Sequence, residues 1–375
     1  MTGQAAAVST RDYGLEMGTP DLESIGSIAF GPEGILFLAD SLGAAIVAVA
    51  VDDGEATSEA SPVNVDKLDT RLAAYLGCSR DDIFIRDMAI HPLTHEVYLS
   101  LTRGSGAAAI ALLIRVASEG SLSEVPLKEV PFARTEVEDA PTEGDEREDT
   151  RLVHDNREGE DWETRSGAHM RISRDRLRTL TITDMSYVDG VLLVAGASNE
   201  EFASTLRRIP FPFNGGSRAN SLEIYHVSHG KYETASPIRT FVPYGENEGV
   251  LASYTCTPVV HFALDDVQTG TELKGRTVAE LGSMSTPIDM VSYSSGGEEY
   301  LLVSNTHNPL IKIASRDIPG QGPLTEPQEP VGVPRQALPH EGVGRMANLG
   351  NSHVVMMQQD GEGNLDLRSY PCVTL

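Results

Sequence analysis

The sequence predicts an all-β protein folded as a single β-propeller of antiparallel blades. Two observations lead to this prediction. Short apolar segments recur as hairpins along most of the chain, and few segments have the periodicity of an amphipathic helix. Sheets repeated around an axis suit such hairpins, because they leave only short strand edges exposed.

The clearest repeat unit opens with Asp-Met at the head of an apolar strand. It occurs at Asp87-Met88, Asp184-Met185 and Asp289-Met290. A polar turn and a second apolar run follow each one, at residues 96–100, 190–194 and 299–303. We interpret these units as the first two strands of three blades, with the methionines packing between blades.

Weaker copies of the hairpin occupy residues 26–39, 238–254 and 344–357. Third strands follow most copies, for example at 45–49, 205–209, 259–262 and 310–313. Six copies predict six four-stranded blades, with seven as the alternative. The last copy lacks one strand, so we expect an N-terminal strand near 13–16 or 23–25 to close the ring. One helix is predicted over residues 65–75.

The whole chain, 1–375, is predicted as one propeller domain with an insertion at 135–176. Residues 136–149 are rich in acids and almost free of core-forming side chains, and an arginine-rich segment follows. This composition predicts a solvated, mobile segment. A cation-binding or docking loop is the alternative.

Charge and composition exclude several classes of partner. The chain has 29 Lys+Arg against 55 Asp+Glu, a formal net charge of −26. A surface this acidic does not suit nucleic acid or an anionic membrane. No apolar run approaches the roughly 18 residues that span a bilayer. We expect a soluble protein. Three scattered cysteines and no visible secretion signal favour a cytoplasmic location, although a trimmed export signal would look the same.

The hairpin Ile28-Ala29-Phe30-Gly31-Pro32-Glu33-Gly34-Ile35-Leu36-Phe37-Leu38-Ala39-Asp40 resembles the repeat of NHL-type, gluconolactonase and strictosidine-synthase-like propellers. The resemblance covers most of the chain outside the insertion and lies in the repeat pattern, not in a catalytic motif. It implies the propeller fold. In the lactonase branch it further implies a divalent ion, often calcium, held on the central axis by carboxylate and amide side chains.

Propeller geometry predicts where a site would lie. Strand heads and the ends of second strands meet at one face around the axis, which would bring together Asp87, Asp184, Asp289, Asn199 and Asn305. Oxygen ligands from several blades suit a hard cation such as calcium. The alternative is structural, since an Asp at a strand head often accepts backbone hydrogen bonds.

Cys256 and His307 occupy equivalent turns of neighbouring repeats, each followed by a proline. Together they could bind copper or zinc, or act as nucleophile and base. The alternative is a buried turn cysteine beside a polar histidine, because their spacing matches no known ligand signature.

Three functional hypotheses follow. The first is a small-molecule enzyme with Asp184 in its central site, in which a divalent metal assists lactone or ester hydrolysis. The second is a noncatalytic scaffold whose acidic insertion binds a basic protein partner. The third is a copper or zinc enzyme using Cys256 and His307. The sequence contains no phosphate-binding loop, dinucleotide fingerprint or nucleophile elbow.

Overall fold

The structure is a computed structural model. It describes residues 13–51, 56–57, 59–152, 159–163, 169–214, 220–226, 230–233, 236–255, 257–267, 271–282, 285–307, 309–325 and 331–375. Within these ranges no helix is long and apolar enough to cross a bilayer.

The described residues are mostly β-strand. The first ten strands are β1 (Glu16–Gly18), β2 (Ile28–Phe30), β3 (Ile35–Asp40), β4 (Ala45–Ala50), β5 (Ile83–Ile90), β6 (Val97–Arg103), β7 (Ile110–Val116), β8 (Leu122–Glu124), β9 (Val130–Glu136) and β10 (Glu148–Leu152). The next ten are β11 (Glu160–Glu163), β12 (His169–Arg176), β13 (Asp184–Val188), β14 (Val191–Ala197), β15 (Ser204–Pro210), β16 (Ser221–His226), β17 (Lys231–Glu233), β18 (Ile238–Tyr244), β19 (Gly249–Tyr254) and β20 (Pro258–Ala263). The remaining strands are β21 (Glu272–Lys274), β22 (Arg276–Glu280), β23 (Pro287–Ser295), β24 (Glu298–Asn305), β25 (Ile311–Ala314), β26 (Val331–Gly332), β27 (Arg335–Ala337), β28 (Val343–Leu349), β29 (His353–Gln359) and β30 (Leu365–Pro371). Helix α1 (Leu68–Leu76) lies within the helix predicted from the sequence, apart from its last residue.

Six antiparallel sheets are built from the predicted hairpins. We number them sheet 1 (β2-β3-β4-β9-β1), sheet 2 (β5-β6-β7-β8), sheet 3 (β13-β14-β15), sheet 4 (β18-β19-β20-β22-β26), sheet 5 (β23-β24-β25-β27) and sheet 6 (β28-β29-β30). The all-β propeller prediction is confirmed. Each of these six sheets corresponds to one predicted blade, and the number of six blades stays a prediction. Four strands per blade hold for sheets 2 and 5; the other sheets have three or five.

Both faces of each sheet are buried against neighbouring sheets. Strand β3, for example, is buried at every residue, which explains why its sequence is a continuous apolar run and not an alternating one. The predicted packing role of the methionines is confirmed, since Met88, Met185 and Met290 all lie in cores between sheets.

Shared cores show which sheets are neighbours. Sheet 1 packs on sheet 2, sheet 2 on sheet 6, sheet 6 on sheet 5, sheet 5 on sheet 4, sheet 4 on sheet 3, and sheet 3 on sheet 1. The sheets therefore form a closed ring in the order 1-2-6-5-4-3. Hydrogen bonds support the unexpected contacts: Ser41 Oγ donates to the carbonyl of Ile182 between sheets 1 and 3, and Arg345 donates to the carbonyl of Arg86 between sheets 6 and 2.

This ring order differs from the order of the sheets along the chain. After sheet 2 the chain returns to sheet 1, where β9 pairs with β4, and only then does it enter sheet 3 on the other side. Sheet 2 thus lies between the first and the last sheets.

The prediction of an N-terminal closing strand is wrong in its location. Strand β1 pairs with β9 at the outer edge of sheet 1. The edge of sheet 6 is instead covered by the segment before α1, where the backbones of Val65 and Leu367 exchange two hydrogen bonds. This segment leads into sheet 2, and it reaches sheet 6 because sheets 2 and 6 are neighbours in the ring.

The insertion contributes a three-stranded sheet, β10-β12-β11, which we call the inserted sheet. The sequence predicted a mobile segment here, and its mobility stays a prediction. A second small sheet, β17-β16-β21, lies beside sheets 3 and 4.

Candidate functional site

A cavity of about 1000 Å³ lies at the central opening of the ring. Residues on or next to the innermost strands of all six sheets line it, for example Ser27 of sheet 1, Thr183 of sheet 3 and Ile288 of sheet 5. Its volume is at the upper end of the range typical for small-molecule sites. The sequence-based expectation of a pocket at this opening therefore matches the cavity that the ring creates.

Four of the six innermost strands carry a β-bulge at the cavity. The register shifts lie at Ile85/Asp87 in β5, Ile238/Thr240 in β18, Pro287/Asp289 in β23 and Val343/Met346 in β28. A bulge adds an unpaired residue and redirects its side chain. The residues at these bulges are Arg86, Arg239, Ile288 and Gly344-Arg345, and all of them line the cavity.

Three bulge residues are arginines, and we call Arg86, Arg239 and Arg345 the bulge arginines. Arg345 donates from Nη2 to the carbonyl of Arg86 at 2.6 Å and from Nη1 to the carbonyl of Ile288 at 3.5 Å. Arg86 donates from Nε to Thr102 Oγ1 at 3.1 Å, and its guanidinium lies 5.3 Å from the centre of the Phe84 ring. These contacts hold two adjacent guanidinium groups in place at the cavity wall.

Acidic residues reach the cavity from other elements. Among the described lining residues, Glu23, Asp69, Asp81, Asp175 and Glu362 lie on connecting segments, on α1 or on the inserted sheet. Asp69 pairs with Arg80 at 2.5 Å. In the described part of the lining, the innermost strands themselves contribute arginines and no acid.

The inserted sheet forms part of the cavity wall. Arg151 and Asp175 line it and form an ion pair, with Arg151 Nε 2.7 Å from Asp175 Oδ2. Although burial raises the pKa of Asp175, attraction by Arg151 and a hydrogen bond from Ser173 more than offset it, and the pKa falls below its ordinary value. Asp175 is therefore ionised at neutral pH.

The predicted metal ligands Asp87, Asp184 and Asp289 lie behind the cavity wall. The carboxylate of each accepts a hydrogen bond from the next residue's N–H, at 2.8 Å in all three cases. A second backbone N–H comes from a neighbouring innermost strand: Ile28 to Asp87, Phe241 to Asp184 and Met346 to Asp289, at 2.8, 2.9 and 2.6 Å. The three carboxylates thus tie the six innermost strands into three pairs.

These carboxyl groups are close enough to repel one another. Burial, together with the charges of Asp87 and Asp289, raises the pKa of Asp184 to about 8. Burial also raises the pKa of Asp289 to about 7, against the attraction of Arg345. The structure therefore brings the predicted aspartates together, but it holds them through backbone donors.

The other predicted ligands are dispersed. Asn199 is exposed, and its backbone N–H donates to the carbonyl of Asp139. Asn305 is buried and its Oδ1 accepts the N–H of His307 at 3.1 Å. His307 is exposed, and Cys256 lies outside the described residues.

The described part of the chain contains no group of three or more His, Cys, Asp or Glu side chains placed to hold a metal. Calcium needs several free oxygen ligands, whereas the carboxylates of Asp87, Asp184 and Asp289 already accept backbone N–H groups. The donor set therefore fits this ion poorly, and the predicted metal site stays a prediction.

Sequence reasoning missed the bulge arginines, although a signal was present. Each arginine lies one or two residues before a residue that forms a hydrogen bond between neighbouring sheets. That residue is Asp87 after Arg86, Phe241 after Arg239 and Met346 after Arg345. Aligning the six repeats at this position would have shown three arginines aimed at the axis.

Comparison with solved structures finds similarities of low sequence identity. Three solved structures with low identity align over nearly the whole chain. Streptogramin B lyase has a TM-score of 0.38 and 10% identity over 95% of this chain and 97% of that one. The PQQ-bound aldose sugar dehydrogenase of Streptomyces coelicolor has a TM-score of 0.35 and 12% identity over 95% and 97%. The Cps50 β-propeller domain of Myceliophteria thermophila has a TM-score of 0.36 and 12% identity over 93% and 84%. No protein-family model and no curated protein sequence matches the chain.

Proposed function

We propose that this protein binds an anionic small molecule at its central opening, through the bulge arginines Arg86, Arg239 and Arg345. The observation that supports this proposal is that arginines stand at β-bulge positions which line the cavity. Bulges at four innermost strands place their residues in one cavity, and three of those strands supply an arginine. The ligand class is a carboxylate or a phosphate.

The chemistry of the guanidinium group favours such a ligand. Its planar array of donors matches the oxygens of carboxylates and phosphates, and it stays charged at all physiological pH values. Arg345 and Arg86 are already oriented by backbone and side-chain contacts, so little conformational freedom is lost when an anion binds. Isoleucines at the same cavity, such as Ile85 and Ile288, would contact an apolar part of the ligand.

Isothermal titration with inorganic phosphate and with citrate tests the proposal. The wild-type protein is expected to bind at least one of these anions at a single site. Arg345→Met should weaken that binding about tenfold or more, because hydrogen bonds to charged groups contribute about 1.5–3 kcal/mol each.

Arg316→Met is the matched control. Arg316 is exposed and pairs with Glu298 away from the cavity lining. The control is expected to bind like the wild type. Equal binding by the wild type and Arg345→Met, or no binding of either anion, would contradict the proposal.

The predicted metal-assisted hydrolysis of a lactone or ester is a separate hypothesis about the same opening. It requires a divalent ion, calcium first and copper or zinc second, that would lower the pKa of bound water or polarise a carbonyl. Metal analysis of protein purified without added ions, with thermal unfolding before and after chelation, tests it. Bound calcium and a lower thermal midpoint after chelation would support this hypothesis. Protein that contains no metal and whose midpoint does not change after chelation would contradict it.

The scaffold hypothesis also stays a prediction. Its support is the formal net charge of −26, which would steer a basic protein partner toward this surface. The third hypothesis, a copper or zinc site at Cys256 and His307, has support only from the sequence.

A further inference from the structure

We propose that the inserted sheet is a built-in competitor for the central site: the carboxylate of Asp175, which lines the cavity, and that of Asp149, its partner in the strand pair, lie on the Arg239 side and oppose the binding of an anionic ligand there. This regulation depends on the function proposed above. It assigns the acidic insertion a role at the site, whereas composition alone suggested a solvated segment.

The first support is where the inserted sheet docks. Asp149 of β10 accepts hydrogen bonds from Thr255 Oγ1 at 2.5 Å and from Ser236 Oγ at 3.5 Å. Both donors flank strands of sheet 4, the sheet that carries Arg239. Burial raises the pKa of Asp149. The hydrogen bond from Thr255 and the positive charge of Arg239 oppose that rise. The carboxyl group of Asp149 thus lies against sheet 4, behind the part of the cavity wall that Arg239 and Asp175 form.

The second support is the balance of charge at this wall. Asp175 pairs with Arg151 and is also attracted by Arg239. Two arginines and two aspartates therefore meet on this side. An anion that binds Arg151 has to replace the Asp175 carboxylate, and an anion that binds Arg239 is opposed by the nearby charges of both aspartates, so the affinity for an anion is reduced on this side.

The third support is the anchoring of the inserted segment to the ring. Arg147 pairs with Asp145 and donates to the carbonyls of Glu200 and Ser198, which lie between β14 and β15 of sheet 3. Just after β12, Arg178 donates to the carbonyl of Leu42, between β3 and β4 of sheet 1. A competitor held in this way has a high effective concentration at the site, so two carboxylates suffice to reduce the affinity for a free anion.

Asp149→Asn and Asp175→Asn test this competition. The asparagines keep hydrogen-bonding capacity and remove one negative charge each. Both variants are expected to bind the anion found above, phosphate or citrate, about five- to tenfold more tightly than the wild type, the range of a modest coupling between sites. Asp161→Asn is the matched control: it lies in the inserted sheet, is 80% exposed and lies outside the cavity lining, and it should not change the affinity.

A second measurement separates this proposal from the proposed function. Arginine modification by phenylglyoxal, mapped by mass spectrometry, should be several-fold faster at Arg239 in Asp149→Asn than in the wild type, with exposed Arg316 unchanged. This readout needs no ligand, so absent anion binding with faster modification would refute only the proposed function. Anion binding that is unchanged or weaker in both variants, with Arg239 modified at the wild-type rate, would overturn the proposal that the inserted sheet competes with the ligand.

Thr255→Val, which removes the hydroxyl that holds Asp149 and leaves all charges in place, provides the same test if Asp149→Asn does not fold. Faster modification of Arg239 is expected in that variant too.

Discussion

At the residue scale, the aspartates of the Asp-Met repeat join neighbouring sheets. Asp184 is the clearest case, because its two oxygens accept the N–H groups of Met185 and Phe241 between sheets 3 and 4. Hydrogen bonds favour its ionised form, but burial and the nearby carboxyl groups favour the neutral form, and the latter effects are larger. The same residue that ties sheet 3 to sheet 4 therefore makes the ring sensitive to pH.

Asp184→Asn is expected to flatten the pH dependence of the free energy of unfolding. The pKa of Asp184 is about 8 in the folded protein and about 3.9 in an unfolded chain. Its contribution to stability is thus fully present below about pH 4 and is lost as the pH rises through about 8. Urea unfolding between pH 4.5 and 8.5 should show a smaller fall for the variant, despite a lower stability overall from one lost hydrogen bond. Asp161→Asn, at an exposed position, should keep the wild-type slope; parallel curves for wild type and Asp184→Asn would refute the argument.

The sequence predicts part of this residue-scale arrangement. Repetition of Asp-Met showed that the three aspartates share one role and one region, and the alternative of backbone hydrogen bonding agrees with the contacts they make. The bulge arginines were missed because each strand was read by itself, and the extra residue of a bulge is visible only when the six repeats are aligned with one another.

At the element scale, the insertion is attached to the ring through a buried ion pair. Arg207 of β15 is fully buried; its Nε lies 2.9 Å from Asp139 Oδ1, and its other nitrogens donate to the carbonyls of Thr181 and Ala197. Asp139 belongs to the segment that leads from β9 to the inserted sheet. This contact positions the start of the insertion against sheet 3. The acid-rich composition of residues 136–149 concealed it, because a single buried acid cannot be distinguished in sequence from its solvated neighbours.

Asp139→Ala is expected to destabilise the protein by about 3–5 kcal/mol, because the variant leaves the Arg207 charge buried without its carboxylate. Urea unfolding measures the loss. Asp161→Ala removes another aspartate–arginine pair of the same insertion, with Arg171, but Asp161 is 80% exposed. That control should cost no more than about 1 kcal/mol. Similar losses in both variants would show that the Asp139 pair does not anchor the segment.

At the scale of the whole molecule, the sheets follow the ring order 1-2-6-5-4-3. The sequence predicted the repeated sheets because hairpins are local, whereas the ring order depends on contacts between distant segments. Sequence neighbours are spatial neighbours often enough that a sequential ring is the natural expectation. The return of β9 to sheet 1 breaks that expectation, and no residue pattern in β9 distinguishes it from an ordinary outer strand of sheet 2.

A disulfide between Val65→Cys and Leu367→Cys tests the contact of sheet 6 with the segment before α1, which leads into sheet 2. These residues exchange two backbone hydrogen bonds, a geometry with Cα atoms about 5.5 Å apart that suits a disulfide. In a background with Cys78, Cys256 and Cys372 changed to Ser, mild oxidation should form the bond and raise the thermal midpoint relative to the reduced protein. Leu99→Cys with Val194→Cys, which a sequential ring would bring together, should stay reduced. The reverse pattern would refute the ring order.

The position of β9 also has a consequence for synthesis on the ribosome. Sheet 1 emerges before sheet 2, yet its strand β4 has no outer partner until sheet 2 has been translated and β9 has followed it. The segment around Val65 must likewise wait for Leu367 of β30, which is made after sheets 2 to 5. The nascent chain therefore leaves the edge of β4 unpaired until β9 is made, and the segment around Val65 unpaired until β30 is made; uncovered edges of this kind promote aggregation.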